Sequence, residues 1–270
     1  MNPVYYKEHE ILKTAENIAD IGEENFVSTK DYFALVNQYK SLLRKTEKLT
    51  KFSDQLQNKL KEEEETSNQL LLNTLPKKVV SDLKLYGKTW PERFNNVSVF
   101  FSDFVGFTKQ SSKLEPQFLI EELNDIFSEF DNIISDCGCE RLKTIGDAYM
   151  AVCGMPVPDE KHAEKMIQGA CNILSYIEQR NANHKWQWKL RIGIHSGAVV
   201  GGVVGIKKYI YDVFGDTINM ASRMESNSEP MKINVSEQCY QLAKSSFKFE
   251  RRSPASIKGK GLQQMYFVIP

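Results

Sequence analysis

The sequence has 270 residues, with 35 Lys+Arg against 35 Asp+Glu and a formal net charge of zero. That length buries one good core with at most a small appendage, and the charge balance excludes a dedicated nucleic-acid binder, which needs a basic excess. Its apolar runs fall well short of the ~20 residues of a bilayer span, and the N-terminus lacks a basic-then-apolar signal pattern, so a cytoplasmic protein is expected.

In chain order, residues 1–30 are polar with scattered aromatics and form a segment of unknown role. A heptad follows over 31–75. Leu35, Leu42, Leu49, Leu56 and Leu70 share one position, interrupted by Glu63, and the companion position holds Tyr39, Thr46, Ser53, Leu60, Ser67 and Thr74. One leucine-rich and one polar seam position make a weak coiled coil. It is read as a parallel dimer helix of ~60 Å at 1.5 Å per residue, the alternative being a solvated helix packed on its own domain. A polar seam position suits a signalling helix, open to an upstream protein or ligand. Pro76, tolerated in a first turn, then starts a short helix from Lys77 to about Leu85, within a transducer segment at 76–94 punctuated by Gly87 and Pro91.

The remainder, 95–270, alternates. A strand at 97–102 leads to a helix at about 115–135 carrying Phe118, Leu119, Leu123, Ile126, Phe127 and Phe130 at helical spacing. A strand pair turns at Gly146-Asp147, a helix runs from about Glu160 to Arg180, and a strand follows at 187–194. A glycine-rich hairpin at 197–213 and a helix at about Thr217–Ser226, capped by Asp216, come next. This order predicts an α+β fold: a ferredoxin-like βαββαβ core with a C-terminal α/β extension, preceded by the long N-terminal helix. The glycine-rich run lies between strands without a following helix, which excludes a dinucleotide-binding turn. Five cysteines without a CxxC pair read as reduced thiols rather than a soft-metal site. His195 reads as a packed or locally bonded ring rather than a base.

Asp103 follows a short apolar strand, Asp147 stands at the turn of a strand pair, and Arg191 comes from a strand of its own. Two carboxylates at strand ends with a nearby cation describe a hard-metal site that handles phosphates, although an aspartate after a strand is also a common turn or cap residue. Asn219 and Arg223 are four apart and share a helix face.

Phe101-Ser-Asp-Phe-Val-Gly-Phe-Thr108, Lys143-Thr-Ile-Gly-Asp-Ala-Tyr-Met-Ala151, Arg191-Ile-Gly-Ile-His-Ser-Gly197, Tyr211-Asp-Val-Phe-Gly-Asp-Thr-Ile-Asn-Met-Ala-Ser-Arg-Met224 and Ile257-Lys-Gly-Lys-Gly261 together resemble the successive motifs of class III nucleotide cyclases. The likeness covers roughly 95–268, and Leu70-Leu-Leu-Asn-Thr-Leu-Pro-Lys78 resembles the transducer segment often found ahead of such domains.

The resemblance implies two divalent ions, Mg²⁺ or Mn²⁺, held by Asp103, Asp147 and the Phe104 carbonyl. It implies triphosphate binding by the backbone N–H groups of Gly106, Phe107 and Thr108, by Arg191, and by Lys258, with Lys260 close enough to compete for that role. Asn219 would position the ribose and Arg223 stabilise charge on the α-phosphate. Lys143 and Asp212 would read the base; guanylyl cyclases of the family usually carry Glu and Cys there, so Lys and Asp imply ATP as substrate and an adenylyl cyclase. The alternatives are a guanylyl cyclase and a catalytically silent nucleotide-binding or dimerisation module. Active sites of the family lie between two catalytic domains, which implies a head-to-tail homodimer of this chain.

Overall fold

The computed structural model describes residue 10, residues 12–14, residue 16, residues 28–205 and residues 209–269. Most of the 1–30 segment therefore lies outside the described residues. The chain divides into two compact units, Met1–Asn73 and Thr74–Pro270.

The first unit contains one long helix, α1 (Thr29–Leu72). Its start is a reciprocal cap: the Ser28 hydroxyl accepts from the Asp31 amide at 3.2 Å and donates to the Asp31 carboxylate at 2.7 Å, satisfying a donor that the first turn leaves open. At 1.5 Å per residue its 44 residues extend about 66 Å. None of its residues is buried, and Leu35, Leu42, Leu49, Leu56 and Leu70 all stand exposed. Among the described residues, no helix is long and apolar enough to cross a membrane.

The second unit opens with α2 (Lys77–Tyr86), entered through Pro76 and ended by Gly87 in the left-handed conformation, whose amide donates to the Leu83 carbonyl at 2.9 Å. A mixed sheet follows. Its strands are β1 (Glu92–Phe104), β2 (Glu140–Ile145), β3 (Ala148–Cys153), β4 (Leu190–Val204), β5 (Ile210–Phe214), β6 (Lys232–Ser236), β7 (Lys248–Arg251) and β10 (Met265–Ile269), while β8 (Ala255–Ile257) and β9 (Gly261–Gln263) form a separate hairpin. The helices are α3 (Phe107–Ser111), α4 (Pro116–Asp136), α5 (His162–Asn183), α6 (Asp216–Ser226) and α7 (Glu237–Ala243). The order β2-β3-β1-β4 is the ferredoxin-like unit expected from the sequence. β6, β10 and β7 extend it beyond β4, and β5 pairs with β4 alone.

Strand period two splits the sheet into two cores. Phe100 and Phe104 of β1 join Ile192 and Ile194 of β4 against α4 and α5. Val97, Val99 and Phe101 face the other way, with Met150, Val152, Val213 and Ala221. Helix α4 buries Ile126, Phe130 and Ile134, whereas Phe118, expected on the apolar stripe, lies in the first turn and is exposed. Glu122 is buried on the same helix and is matched by Arg180 at 2.8 Å and by the Trp188 indole N–H at 3.2 Å, as a buried carboxylate requires.

Two local expectations are corrected. The strand expected at 187–194 and the first arm of the hairpin expected at 197–213 are one continuous 15-residue strand, β4, which pairs antiparallel with β5 as that hairpin requires. The glycines serve close packing along that strand. A Cβ on Gly201 would stand 2.6 Å from the Tyr211 hydroxyl and 3.0 Å from the Met155 methyl. Asp216 does not cap α6: Gly215 holds that position, and Asp216 forms an ion pair with Lys260 at 2.6 Å instead.

His195 is buried, with Nδ1 2.8 Å from the Ser236 hydroxyl, as expected of a structural ring. Burial lowers its pKa from the ordinary 6.5 to about 4. The unfolded chain therefore binds a proton near pH 6.5 that the native ring refuses until about pH 4, so this stabilisation is complete above 6.5 and is lost as pH falls toward 4. Burial lowers His162 in the same direction. Urea midpoints are expected to fall between pH 7 and 5, and His195→Gln is expected to flatten that slope. An unchanged slope in the variant would assign the acid sensitivity elsewhere.

Candidate active site

Strand register creates the first cluster. Asp103 near the end of β1 lies directly opposite Arg191 near the start of β4, and the Arg191 Nη2 group donates to the Asp103 carboxylate at 2.7 Å. Asp147 sits in the turn between β2 and β3. Burial first, and the neighbouring Asp103 charge second, push the Asp147 carboxyl above the ordinary carboxylate range. A half-buried carboxylate whose charge is disfavoured by burial and by a neighbouring carboxylate suits a cation.

Among the described residues, no group of three or more His, Cys, Asp or Glu stands together as a metal cage. Asp103 and Asp147 would offer an ion two hard carboxylate donors, the rest of its shell being left to substrate oxygens and water. That donor set fits Mg²⁺ or Mn²⁺. The Phe104 ring packs on Phe107, Phe127 and Trp188, which anchors the backbone carrying the third expected donor. The N–H groups of Phe107 and Thr108 lie in the first turn of α3, after Gly106 at its N-cap, where a helix leaves its donors unsatisfied.

The sequence reading missed one member of this cluster. Glu225 is buried and accepts from Arg191 Nε at 2.9 Å. Burial pushes its carboxyl up, and Arg191 opposes the shift. Gly193 makes the contact possible: a Cβ there would lie 1.9 Å from the Glu225 amide nitrogen, so only glycine lets α6 settle this closely on β4. The available signal was the glycine two residues after Arg191, at a strand position where a side chain would normally pack.

A second cluster joins Lys143 and Asp212. Their side chains form an ion pair at 2.6 Å, each partly exposed. Lys143 is on β2 and Asp212 on β5, with β3, β1 and β4 between them in the sheet. Curvature of the twisted sheet brings its flanks together across one face. Leu142 and Tyr211, their chain neighbours, pack on the same core cluster.

The third group lies on α6 and the β8–β9 hairpin. Arg223 Nη1 donates to the Lys258 carbonyl at 2.5 Å, and Lys260 pairs with Asp216. Both struts tie the hairpin to α6. The second strut engages the Lys260 ammonium, while the Lys258 side chain is exposed and forms no ion pair among the described residues.

Helical phase separates this group from the first. Successive residues turn about 100°, so Arg223 points about 200° from Glu225 and Asn219 about 120° from it. Glu225 is buried toward Arg191 on its own sheet, while Asn219 is exposed. The Asn219–Arg223 face therefore turns away from the aspartates of its own chain.

Residues 90–270 match the family model for the adenylate and guanylate cyclase catalytic domain. The chain belongs to this family. Over 210 residues it is 40% identical to the receptor-type guanylate cyclase gcy-28 of Caenorhabditis elegans, covering 76% of this chain but 16% of that relative. The catalytic core of a rhodopsin-guanylyl cyclase with converted specificity, solved with ATPalphaS, superposes with a TM-score of 0.64 at 37% identity, covering 67% of this chain and 98% of that one. The guanylate cyclase domain of RhGC from Catenaria anguillulae, solved with GTP, gives a TM-score of 0.64 at 35% identity, covering 66% and 98%. The cyclase domain is thus matched nearly whole, whereas the chain spans about one sixth of the receptor-type relative's length.

The guanylate cyclase gcy-28 and the RhGC domain solved with GTP overturn the adenylyl cyclase assignment drawn from Lys143 and Asp212. The physical reason lies in the base edge. An ammonium beside a carboxylate offers one donor and one acceptor. Adenine meets that pair through N1 and its amino group, and guanine meets it through O6 and N1–H with the two partners exchanged. Residue types alone therefore do not choose between the two bases.

Proposed function

We propose that this cyclase domain is a guanylyl cyclase, converting GTP to 3′,5′-cyclic GMP and pyrophosphate at two equivalent sites shared across a head-to-tail homodimer. The observation that carries the shared site is the phase of α6: Asn219 and Arg223 face away from their own Asp103 and Asp147, so a second copy must supply one half. Substrate choice rests on the guanylate cyclase relatives.

In the reaction the ribose 3′-oxygen attacks the α-phosphorus, the bond from that phosphorus to the bridging oxygen breaks, and pyrophosphate leaves with the displaced electron pair. The 3′-hydroxyl proton passes to solvent. Two Mg²⁺ or Mn²⁺ ions held by Asp103, Asp147 and the Phe104 carbonyl would lower the pKa of that hydroxyl and shield phosphate charge. Arg191 and the N–H groups of Gly106, Phe107 and Thr108 hold the triphosphate from one subunit. Lys258 approaches from the other; of the two candidate lysines it is the one whose ammonium is not taken by Asp216. Asn219 of that second subunit orients the ribose, and Arg223 meets the charge developing on the α-phosphate, a preorganised contact of the kind that dominates such catalysis. Lys143 and Asp212 of the second subunit read the guanine edge.

The exposed leucine row of α1 supports a parallel two-stranded coil over 31–75, whose weak seam receives a regulatory signal and passes it through 76–94 to the catalytic domain at 95–270. The free thiols are compatible with the reducing cytoplasm. Purified chain assayed with GTP and with ATP, each in Mg²⁺ and Mn²⁺, tests the reading. Cyclic GMP and pyrophosphate from GTP are expected. Cyclic AMP as the sole product would overturn the guanylyl assignment, and no product from either nucleotide would leave a silent dimerisation module.

A further inference from the structure

Arg191 is held along two edges. Its Nη2 group rests on Asp103 at 2.7 Å and its Nε group on Glu225 at 2.9 Å. The two contacts differ in kind. Asp103 belongs to the half-exposed carboxylate pair. Glu225 is buried, 8% exposed, and its second oxygen accepts from the Ser226 hydroxyl at 3.2 Å. Its backbone is locked where α6 meets Gly193 of β4. Burying a carboxylate beside an arginine is a costly way to hold a helix on a sheet, since apolar packing does it as well or better. A fixed charge is useful where the arginine must keep one orientation while the partner on its other edge changes.

We propose that Glu225 is the positioning residue of Arg191: it holds the Nε edge of the guanidinium so that the Nη edge is presented to the triphosphate. This rests on the reading of Arg191 as a phosphate ligand. In the free protein the Nη edge neutralises Asp103; with nucleotide present, phosphate oxygens compete for that edge while the Nε contact persists. Without Glu225 the guanidinium is free to rotate and to close both edges on Asp103, which withdraws it from the phosphates. Arg191 is thereby a donor whose direction is set from α6, the helix that also carries Asn219 and Arg223.

The test compares the full chain with Glu225→Ala, Glu225→Gln, Arg191→Ala and the Arg191→Ala/Glu225→Ala double variant. It measures kcat and KM for the nucleotide, the Kd for inorganic pyrophosphate by calorimetry, and the melting temperature. Pyrophosphate leaves either nucleotide, so the calorimetric arm is independent of base choice and of turnover. Glu225→Ala is expected to raise KM and the pyrophosphate Kd about tenfold, with a smaller change in kcat, as loss of an orienting partner does. Glu225→Gln keeps an acceptor oxygen and is expected to recover most of the loss. In the Arg191→Ala background, removing Glu225 should add nothing. Unchanged KM and Kd in Glu225→Ala with only a lower melting temperature would overturn the proposal, and so would a full additional loss in the Arg191→Ala background. If Arg191→Ala alone leaves both constants unchanged, the phosphate-ligand reading itself has failed.

Discussion

Asp103→Ala and Asn219→Ala proteins are each expected to lose about a thousandfold in kcat, and their one-to-one mixture to regain activity. On the proposed reading the first variant removes a carboxylate from the metal pair, and several kcal/mol of transition-state charge stabilisation with it, at about 1.4 kcal/mol per tenfold. The second removes a ribose contact from the outward face of α6. In a heterodimer both lesions fall on one of the two shared sites, and the other site is built from intact halves. Random assortment makes half the dimers mixed, each with one working site, so the recovered activity is about a quarter of wild type. Separately tagged subunits and size-exclusion chromatography establish that heterodimers form. Heterodimers without recovered activity would mean that the two residues of one chain serve the same site, and would sink the shared-site model. The structure supplies the reason to expect recovery: Glu225 occupies the face of α6 that meets its own Arg191, and Asn219 lies on the exposed side.

The second large effect concerns the Lys143–Asp212 pair. Asp212→Ala is expected to lower kcat/KM for GTP by roughly a hundredfold, because a site built to pair with a base edge is left with an unmatched ammonium. Each side chain is partly solvent-exposed, which keeps the loss below that of a fully buried mismatch. Lys143→Glu combined with Asp212→Cys installs the pair usual in guanylyl cyclases of this family. If the native pair already reads guanine, that double variant keeps GTP as its preferred substrate. A switch of preference from ATP to GTP would show that the native pair reads adenine. Parallel kinetics with both nucleotides decide it.

The order of elements was legible because each carries a local signal. The leucines of α1, the proline before α2, the alternating residues of β1 and the apolar stripe of α4 depend on neighbours within one or two turns. Asp103, Asp147 and Arg191 were legible as a group because each stands at a strand end or turn, and antiparallel pairing of β1 with β4 then sets Asp103 opposite Arg191. Less legible was what each polar residue does at its site. Asp216 has the composition of a helix cap but pairs with Lys260, since Gly215 takes the cap position. The glycines of β4 read as a hairpin signal, and β4 does turn back onto β5; the sequence did not show that they also mark where Tyr211 and α6 approach the strand. Glu225 carried no signal of its own, because its partner lies 34 residues away in the chain.

By itself the sequence determined the fold class, the family and the residue types that could handle a metal–triphosphate, since periodicity, turn chemistry and ordered motifs are properties of neighbouring residues. Tertiary structure decided direction. The phase of α6 on β4 turns Glu225 inward and Asn219 outward, sheet curvature brings Lys143 onto Asp212, and Asp216 draws Lys260 away while Lys258 stays free. Each of these depends on where a side chain points relative to an element distant in the chain, and no local pattern of residues encodes that angle.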